Sequence, residues 1–196
     1  MAYERWNADN AALLLIDHQV GTIGWMHSTT KSELKRNTLA LARSAKAVGM
    51  RTVLTSSMED QFQGPLFPGL AEILPQEFSA RVKRSGIVDA FDDSNFKEAV
   101  EATGKRKLII AGLLTEVCVV YPTLSALSEG YEVQVVADAS GSATPTSDSL
   151  ALDRIRQAGG AVVSTVQIMS EMVENWAEGA GPKVMPILGE LYSAIE

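Results

Sequence analysis

The stretch Lys107-Leu-Ile-Ile-Ala-Gly-Leu-Leu-Thr-Glu-Val-Cys118 decides how this chain folds. It reads as a buried strand, a turn at Gly112 and a helix beginning near Thr115. Cys118, the single cysteine of the chain, falls in the first turn of that helix. There the positive end of the helix dipole and several unbonded N–H groups face the sulfur. An ordinary thiol has a pKa of about 8.5. Helix N-termini and nearby cations lower it and make the sulfur a nucleophile. The alternative reading of Cys118 is a small, buried, apolar packing residue.

The same strand–turn–helix unit recurs on both sides of this stretch. Ala11–Ile16, Arg51–Thr55, Ser79–Lys83, Leu108–Ala111, Tyr131–Ala137 and Ala161–Thr165 are six short strand-like runs, the third assigned mainly from context. Helical patterns cover Ser32–Val48, Ser94–Thr103, Glu116–Glu129 and Ser147–Ala158, and Gly49, Gly104, Gly130 and Gly159 follow them as stop signals. Runs apolar on both faces belong to parallel sheets covered by helices. The alternation therefore predicts an α/β, doubly wound, Rossmann-like fold with a six-stranded parallel sheet and helices on both faces. Right-handed crossovers leave few topologies, and the expected order is 3-2-1-4-5-6, with the switch point between strands one and four. Ligands bind such sheets at the carboxyl ends of strands beside that point. Asp17 ends the first strand and Cys118 follows the fourth, so the topology unites two residues about a hundred positions apart.

The 196 residues, 46% of them hydrophobic, suit one substantial core, so 1–196 is expected to be a single domain. The net charge of −7, with no basic stripe, argues against a nucleic-acid partner or an anionic membrane surface. One cysteine excludes an intrachain disulfide and any multi-cysteine metal site. No apolar stretch has the length of a membrane span, and the first ten residues lack a signal-peptide core. A cytoplasmic location is the expectation. Ser56–Pro75 reads as a long ordered loop over the strand ends, with a short helix at Gly69–Leu74. The tail 170–196 carries Met172, Trp176, Val184, Met185, Ile187, Leu188, Leu191 and Ile195; part of it can pack within the chain, and its length beyond the last strand suggests a subunit contact as well, hence a homo-oligomer.

A thiolate nucleophile needs a base, a cation and oxyanion donors. Asp17, a carboxylate ending an apolar strand, is the candidate base, since desolvation raises its pKa; the alternative is a loop-capping Asp. Lys83 and Arg84 are the candidate cations, and the alternative for them is an exposed basic pair. Three elements now converge: Asp17-His-Gln19 after an apolar strand, a basic residue before Asp89-Ala-Phe91, and Ala111-Gly-Leu-Leu-Thr-Glu-Val-Cys118. Together they resemble the isochorismatase-like cysteine hydrolases, with the closest likeness to the YcaC-type branch. Ala137-Asp-Ala-Ser-Gly141 and Asp153-Arg154 support the resemblance, which runs from about Asn10 to at least Ala161.

The resemblance implies a triad of Asp17, a basic residue and Cys118. Asp17 would take the thiol proton, and the sulfur would attack the carbonyl of a small amide, ureido or imide substrate to form a thioacyl intermediate. It further implies an oxyanion hole from the backbone N–H groups of Leu114 and Cys118, and a non-proline cis peptide at Leu113–Leu114. The basic member in most of the family is Lys; here the spacing from Asp89-Ala-Phe91 places Arg84 there, with Lys83 the alternative. Neighbours on a strand point to opposite faces, so only one enters the site. The metal-binding members of the superfamily use an Asp and His cluster after the second strand, where this chain has Ser56-Ser-Met-Glu-Asp-Gln-Phe62 without a His. No metal and no cofactor are therefore expected. Gln19, Trp25, Phe62 and Phe67 are candidates for the substrate pocket, the aromatics alternatively for the core or a subunit contact. His18 is expected to be structural, and His27 to lie in a loop. The competing functional reading is a non-catalytic oligomeric or redox-responsive protein that keeps the fold, with Cys118 reversibly oxidised.

Overall fold

In the computed structural model, which describes residues 4–194, six strands form one parallel sheet. They are β1 (Ala11–Ile16), β2 (Arg51–Ser57), β3 (Val82–Arg84), β4 (Lys107–Gly112), β5 (Glu132–Val136) and β6 (Ala161–Val163). Their order, β3-β2-β1-β4-β5-β6, is the expected doubly wound one. β1 shows why: all six of its residues are buried, and successive side chains divide between two cores. Ala11, Leu13 and Leu15 enter the core beneath helices α1 (Lys31–Val48) and α7 (Thr165–Val173). Ala12, Leu14 and Ile16 enter the opposite core, beneath α4 (Ser94–Glu101), α5 (Val120–Ser128) and α6 (Pro145–Gln157). A strand apolar on both faces is stable only when both are covered.

Local signals fix the helix ends. Thr30 caps α1 by accepting the Glu33 N–H at 3.2 Å. Gly49 closes it in the left-handed conformation, φ 73°, which a side chain would disfavour. The third strand is shorter and later than its predicted span of Ser79–Lys83. Helix α3 (Pro75–Ser79) takes the preceding residues, and only Val82–Arg84 pair with β2. The loop after β2 carries the expected short helix, α2 (Pro68–Ile73). Residues 18–20 hold this loop down: Val20 N–H donates to the Pro65 carbonyl at 2.9 Å and Phe67 N–H to the His18 carbonyl at 2.8 Å.

Much of the tail packs on the chain's own body. It folds as the end of α7 and as α8 (Gly181–Ser193), and Met172, Val184, Ile187 and Leu191 are buried within the chain's own cores. The sequence reading assigned neither α7 nor α8; α8 packs on α1 and α7 rather than on the sheet, so no strand–helix alternation announces it. Met185 remains exposed, and Ile195 lies outside the described residues. No helix among the described residues is long and apolar enough to cross a membrane.

Candidate active site

The carboxyl ends of β1, β2, β3 and β4 lie side by side, and they carry the candidate residues. Ile16 is level with Thr55 and Gly112, and Ser57 with Arg84. Asp17 is the first residue beyond β1. Its N–H still donates to the Thr55 carbonyl at 2.9 Å, but its backbone turns left-handed, φ 56°. Asp is among the few L-residues that enter this region readily. The turn ends the strand alternation that would set Gln19 beside Asp17. The Gln19 carboxamide instead donates to the Ser57 and Gly64 carbonyls, at 2.8 and 2.5 Å, and accepts from the Ser57 N–H at 3.0 Å. Gln19 therefore fastens the 58–64 loop to β2 while one of its surfaces lines the cavity.

Arg84, and not Lys83, points inward. Its side chain is fully buried, and one terminal nitrogen, Nη2, lies 2.5 Å from both Asp17 carboxylate oxygens. This is single-nitrogen contact rather than a two-nitrogen fork. The other nitrogens are engaged elsewhere: Nη1 donates to the Ile87 carbonyl at 2.8 Å and Nε to Thr55 Oγ1 at 3.0 Å. Thr55 in turn donates to the Val82 carbonyl at 2.8 Å, which fixes the guanidinium from β2. Thr55 escaped the sequence reading because it has the ordinary residue type of a strand interior. Lys83 is on the opposite face, with its ammonium 3.1 Å from Glu59 and most of its side chain in water. Hydrogen bonds from Arg81 hold the Glu59 carboxyl down at about 2.

Cys118 approaches from β4. Gly112 permits this, since a Cβ there would sit 2.5 Å from the Ile16 carbonyl oxygen and 3.0 Å from Val119. The Leu113–Leu114 peptide that follows is cis. The helix expected over Glu116–Glu129 is divided: Thr115–Val119 form a π-helical turn, and α5 begins only at Val120. Cys118 is thus in a wide turn ahead of the α-helix, partly buried, with its N–H donated to the Leu114 carbonyl at 2.8 Å. Leu114 lines the same cavity as Cys118, and its backbone draws the thiol pKa partly back against burial.

The thiol faces Asp17 closely enough that each group shifts the other's titration. Burial pushes the Asp17 carboxyl above its ordinary range, with Arg84 drawing it partly back. Burial, and then the Asp17 charge, push the Cys118 thiol up. This reverses the expectation of a depressed thiol pKa. The helix dipole begins one turn too late, and Asp17 already neutralises the Arg84 cation. Burial thus favours the protonated form of both groups, and the Arg84 cation opposes it in both. Alkylation of Cys118 by iodoacetamide should accordingly keep rising with pH, with no plateau at or below about 8.5. A plateau there would show a stabilised thiolate and contradict this electrostatic assignment.

A cavity of about 190 Å³ opens above these residues. Asp17, Gln19, Trp25, Leu114 and Cys118 line it, as do Met58, Gln63, Ile87, Val88 and Val117, which the sequence reading did not single out. Ile87-Val88 was the available signal, an apolar pair in a segment with no strand or helix pattern. Trp25 stacks on Phe62 at the rim, ring centroids 4.7 Å apart. Phe67 does not line the cavity; it is buried in the core, edge-on to His18 at 5.8 Å. His18 is fully buried, bonded to the Ala139 carbonyl at 2.9 Å and held neutral by burial, its pKa lowered to about 4. His27 is exposed. Among the described residues no three His, Cys, Asp or Glu side chains converge as a metal-holding group.

Comparison with known proteins matches residues 11–167 to the isochorismatase domain model. The Escherichia coli (strain K12) protein named Probable hydrolase YcaC is 40% identical over 174 residues, which is 89% of this chain and 83% of that one. A structure of YcaC from Pseudomonas aeruginosa with hexane-2,5-diol and covalent acrylamide superposes with a TM-score of 0.90 at 39% identity, covering 100% of this chain and 97% of the other. The E. coli YcaC structure, titled an octameric hydrolase of unknown specificity, gives 0.89 at 38% identity, covering 98% and 91%.

Proposed function

The chain belongs to the isochorismatase family of hydrolases, and from that premise we propose that it cleaves the C–N bond of a small amide, ureido or imide compound through a thioacyl intermediate on Cys118. The observation that carries this reading is the Asp17 carboxylate set between the Arg84 guanidinium and the Cys118 thiol at one end of a small cavity. A redox thiol needs no such matched base.

In this mechanism Cys118 Sγ attacks the substrate carbonyl carbon as its proton passes to Asp17. A neutral thiol beside a basic carboxylate suits concerted transfer, because no free thiolate has to exist beforehand. Burial makes Asp17 the stronger base, and Arg84 keeps it oriented and ionised. The oxyanion is met by the Leu114 N–H, from a residue that lines the cavity beside Cys118. The Cys118 N–H joins only as a shared bond, since it is donated to Leu114. Asp17 then returns the proton to the leaving nitrogen, the C–N bond breaks, and the acyl group remains on sulfur. Water, deprotonated by Asp17, attacks the thioester to release the carboxylic acid and regenerate the thiol. No step calls on a metal or cofactor.

The covalent acrylamide of the P. aeruginosa relative supports a protein that reacts covalently with a small amide, and the octamer of the E. coli one supports a homo-oligomer here as well. Acid quenching during turnover of a panel of small amides tests the reading. The Cys118 peptide should gain the acyl mass of the amide consumed; turnover without any acylated Cys118 would remove the covalent mechanism. The pH profile supplies a second check. Asp17 must be ionised to accept the proton, so kcat/KM should fall as pH drops through its pKa, with the inflection above the ordinary Asp value of about 3.9. An acid limb centred at or below that value would assign the base elsewhere.

A further inference from the structure

Among the described residues, none that lines the cavity above Cys118 presents a charge free to meet a charged ligand. Of the residues that line it, Asp17 alone is ionisable as a carboxylate, and Arg84 covers both of its oxygens. The guanidinium itself is fully buried, with its nitrogens divided among Asp17, Thr55 and Ile87. Lys83, the nearest other cation in sequence, is outside the cavity and paired with Glu59. The walls are instead Trp25, Met58, Ile87, Val88, Leu113 and Val117. Four of these are also large exposed apolar groups: Val88 is 52% exposed, Trp25 46%, Met58 39% and Ile87 38%. The polar groups are neutral. The Gln19 carboxamide is taken up by backbone bonds, while the Gln63 side chain donates only to the Met58 sulfur at 3.7 Å. At about 190 Å³ the space is also smaller than the roughly 300–1,000 Å³ that holds drug-sized ligands.

We infer that this pocket admits small uncharged carboxamides with an apolar acyl group and excludes those carrying a carboxylate or ammonium. A charge entering it would lose hydration and meet no opposite charge; the neutral donors that share the cavity, the Leu114 N–H and the unpartnered Thr22 hydroxyl, suit a carbonyl oxygen and do not replace the hydration of a full charge. An apolar acyl chain would instead cover Ile87, Val88 and Trp25, which water now wets. The inference narrows the substrate class within the hydrolase reading and rests on it for catalysis, but the selectivity itself belongs to the pocket and is measurable without turnover.

Iodoacetamide and iodoacetate are a nearly isosteric neutral and anionic pair that both alkylate a thiol. Their rate ratio on Cys118 of the full-length wild-type protein, divided by their ratio on N-acetylcysteine, isolates the pocket's contribution. Work at about 1 M salt, where the Debye length is about 3 Å, removes the general field of an acidic protein. The neutral reagent should be favoured by about tenfold or more over the reference thiol, as expected when one charge must be desolvated without a partner. Val88→Lys, at an exposed position and therefore compared with the wild type at about 0.01 M salt, where the Debye length is about 30 Å, should reduce that excess by supplying the missing cation. Equal ratios on Cys118 and N-acetylcysteine would overturn the inference, as would an excess that Val88→Lys leaves untouched. A neutral preference with no amide turned over by the wild type would sink the hydrolase reading and leave the pocket's selectivity standing. Turnover of charged and neutral amides alike, with equal alkylation ratios, would do the reverse.

Discussion

Cys118→Ala should reduce amide turnover by about four orders of magnitude or more, the usual scale for loss of a covalent nucleophile. Folding should be nearly unaffected, with a change of about 1–2 kcal/mol, because the residue is small and only partly buried. The combination is diagnostic. A packing cysteine would lose stability and not chemistry, and a redox cysteine would leave hydrolysis intact. Steady-state rates and urea denaturation of the same preparation supply both numbers. Full activity in Cys118→Ala would mean that Asp17 activates water directly and that no thioacyl species lies on the path.

The largest effect on stability is expected from Arg84→Ala. Asp17 is 1% exposed and takes its charge compensation from that one guanidinium. Removing one partner of a buried pair typically costs about 3–5 kcal/mol, because the other charge remains uncompensated. The loss should depend on pH with a definite sign. Without Arg84 the folded-state pKa of Asp17 rises further above its unfolded value, so protonation favours the folded state. The variant should therefore recover toward the wild type as pH falls through the folded pKa, and lose most where Asp17 is ionised. Urea midpoints at pH 8 and pH 5 test this. Adding Asp17→Asn to Arg84→Ala should restore part of the loss by removing the stranded charge. Lys83→Ala, by contrast, removes a largely exposed ammonium from a Glu59 that Arg81 still holds, and should cost about 1 kcal/mol or less. A cost that small for Arg84→Ala would mean that Asp17 finds another partner in solution.

The two basic neighbours show how far pattern reading reaches. Alternation along a strand says that one of Lys83 and Arg84 faces the site, and motif spacing selects Arg84. Pairing of Ser57 with Arg84 across β2 and β3 then settles which face is which. Alternation failed at Gln19 because Asp17 leaves the strand in a left-handed turn. It failed at the predicted helix of Cys118 because the first turn there is π-helical. Phe67 was placed near the substrate by its position in a long loop, yet the bridge between Gln19 and Leu66 folds that segment into the core.

By itself the sequence determined the sheet, its order, the convergence of Asp17 and Cys118 with one of two basic neighbours, and the likeness that suggests their chemistry. These follow from periodicity, chain connectivity and short motifs, all of which are local or topological properties. Only the tertiary structure decided the resting state of the thiol, the engagement of Gln19, the burial of α8 and the uncharged walls of the cavity. Each depends on which distant groups share a low-dielectric space, and an electrostatic environment is a sum over neighbours that no single segment of the chain contains.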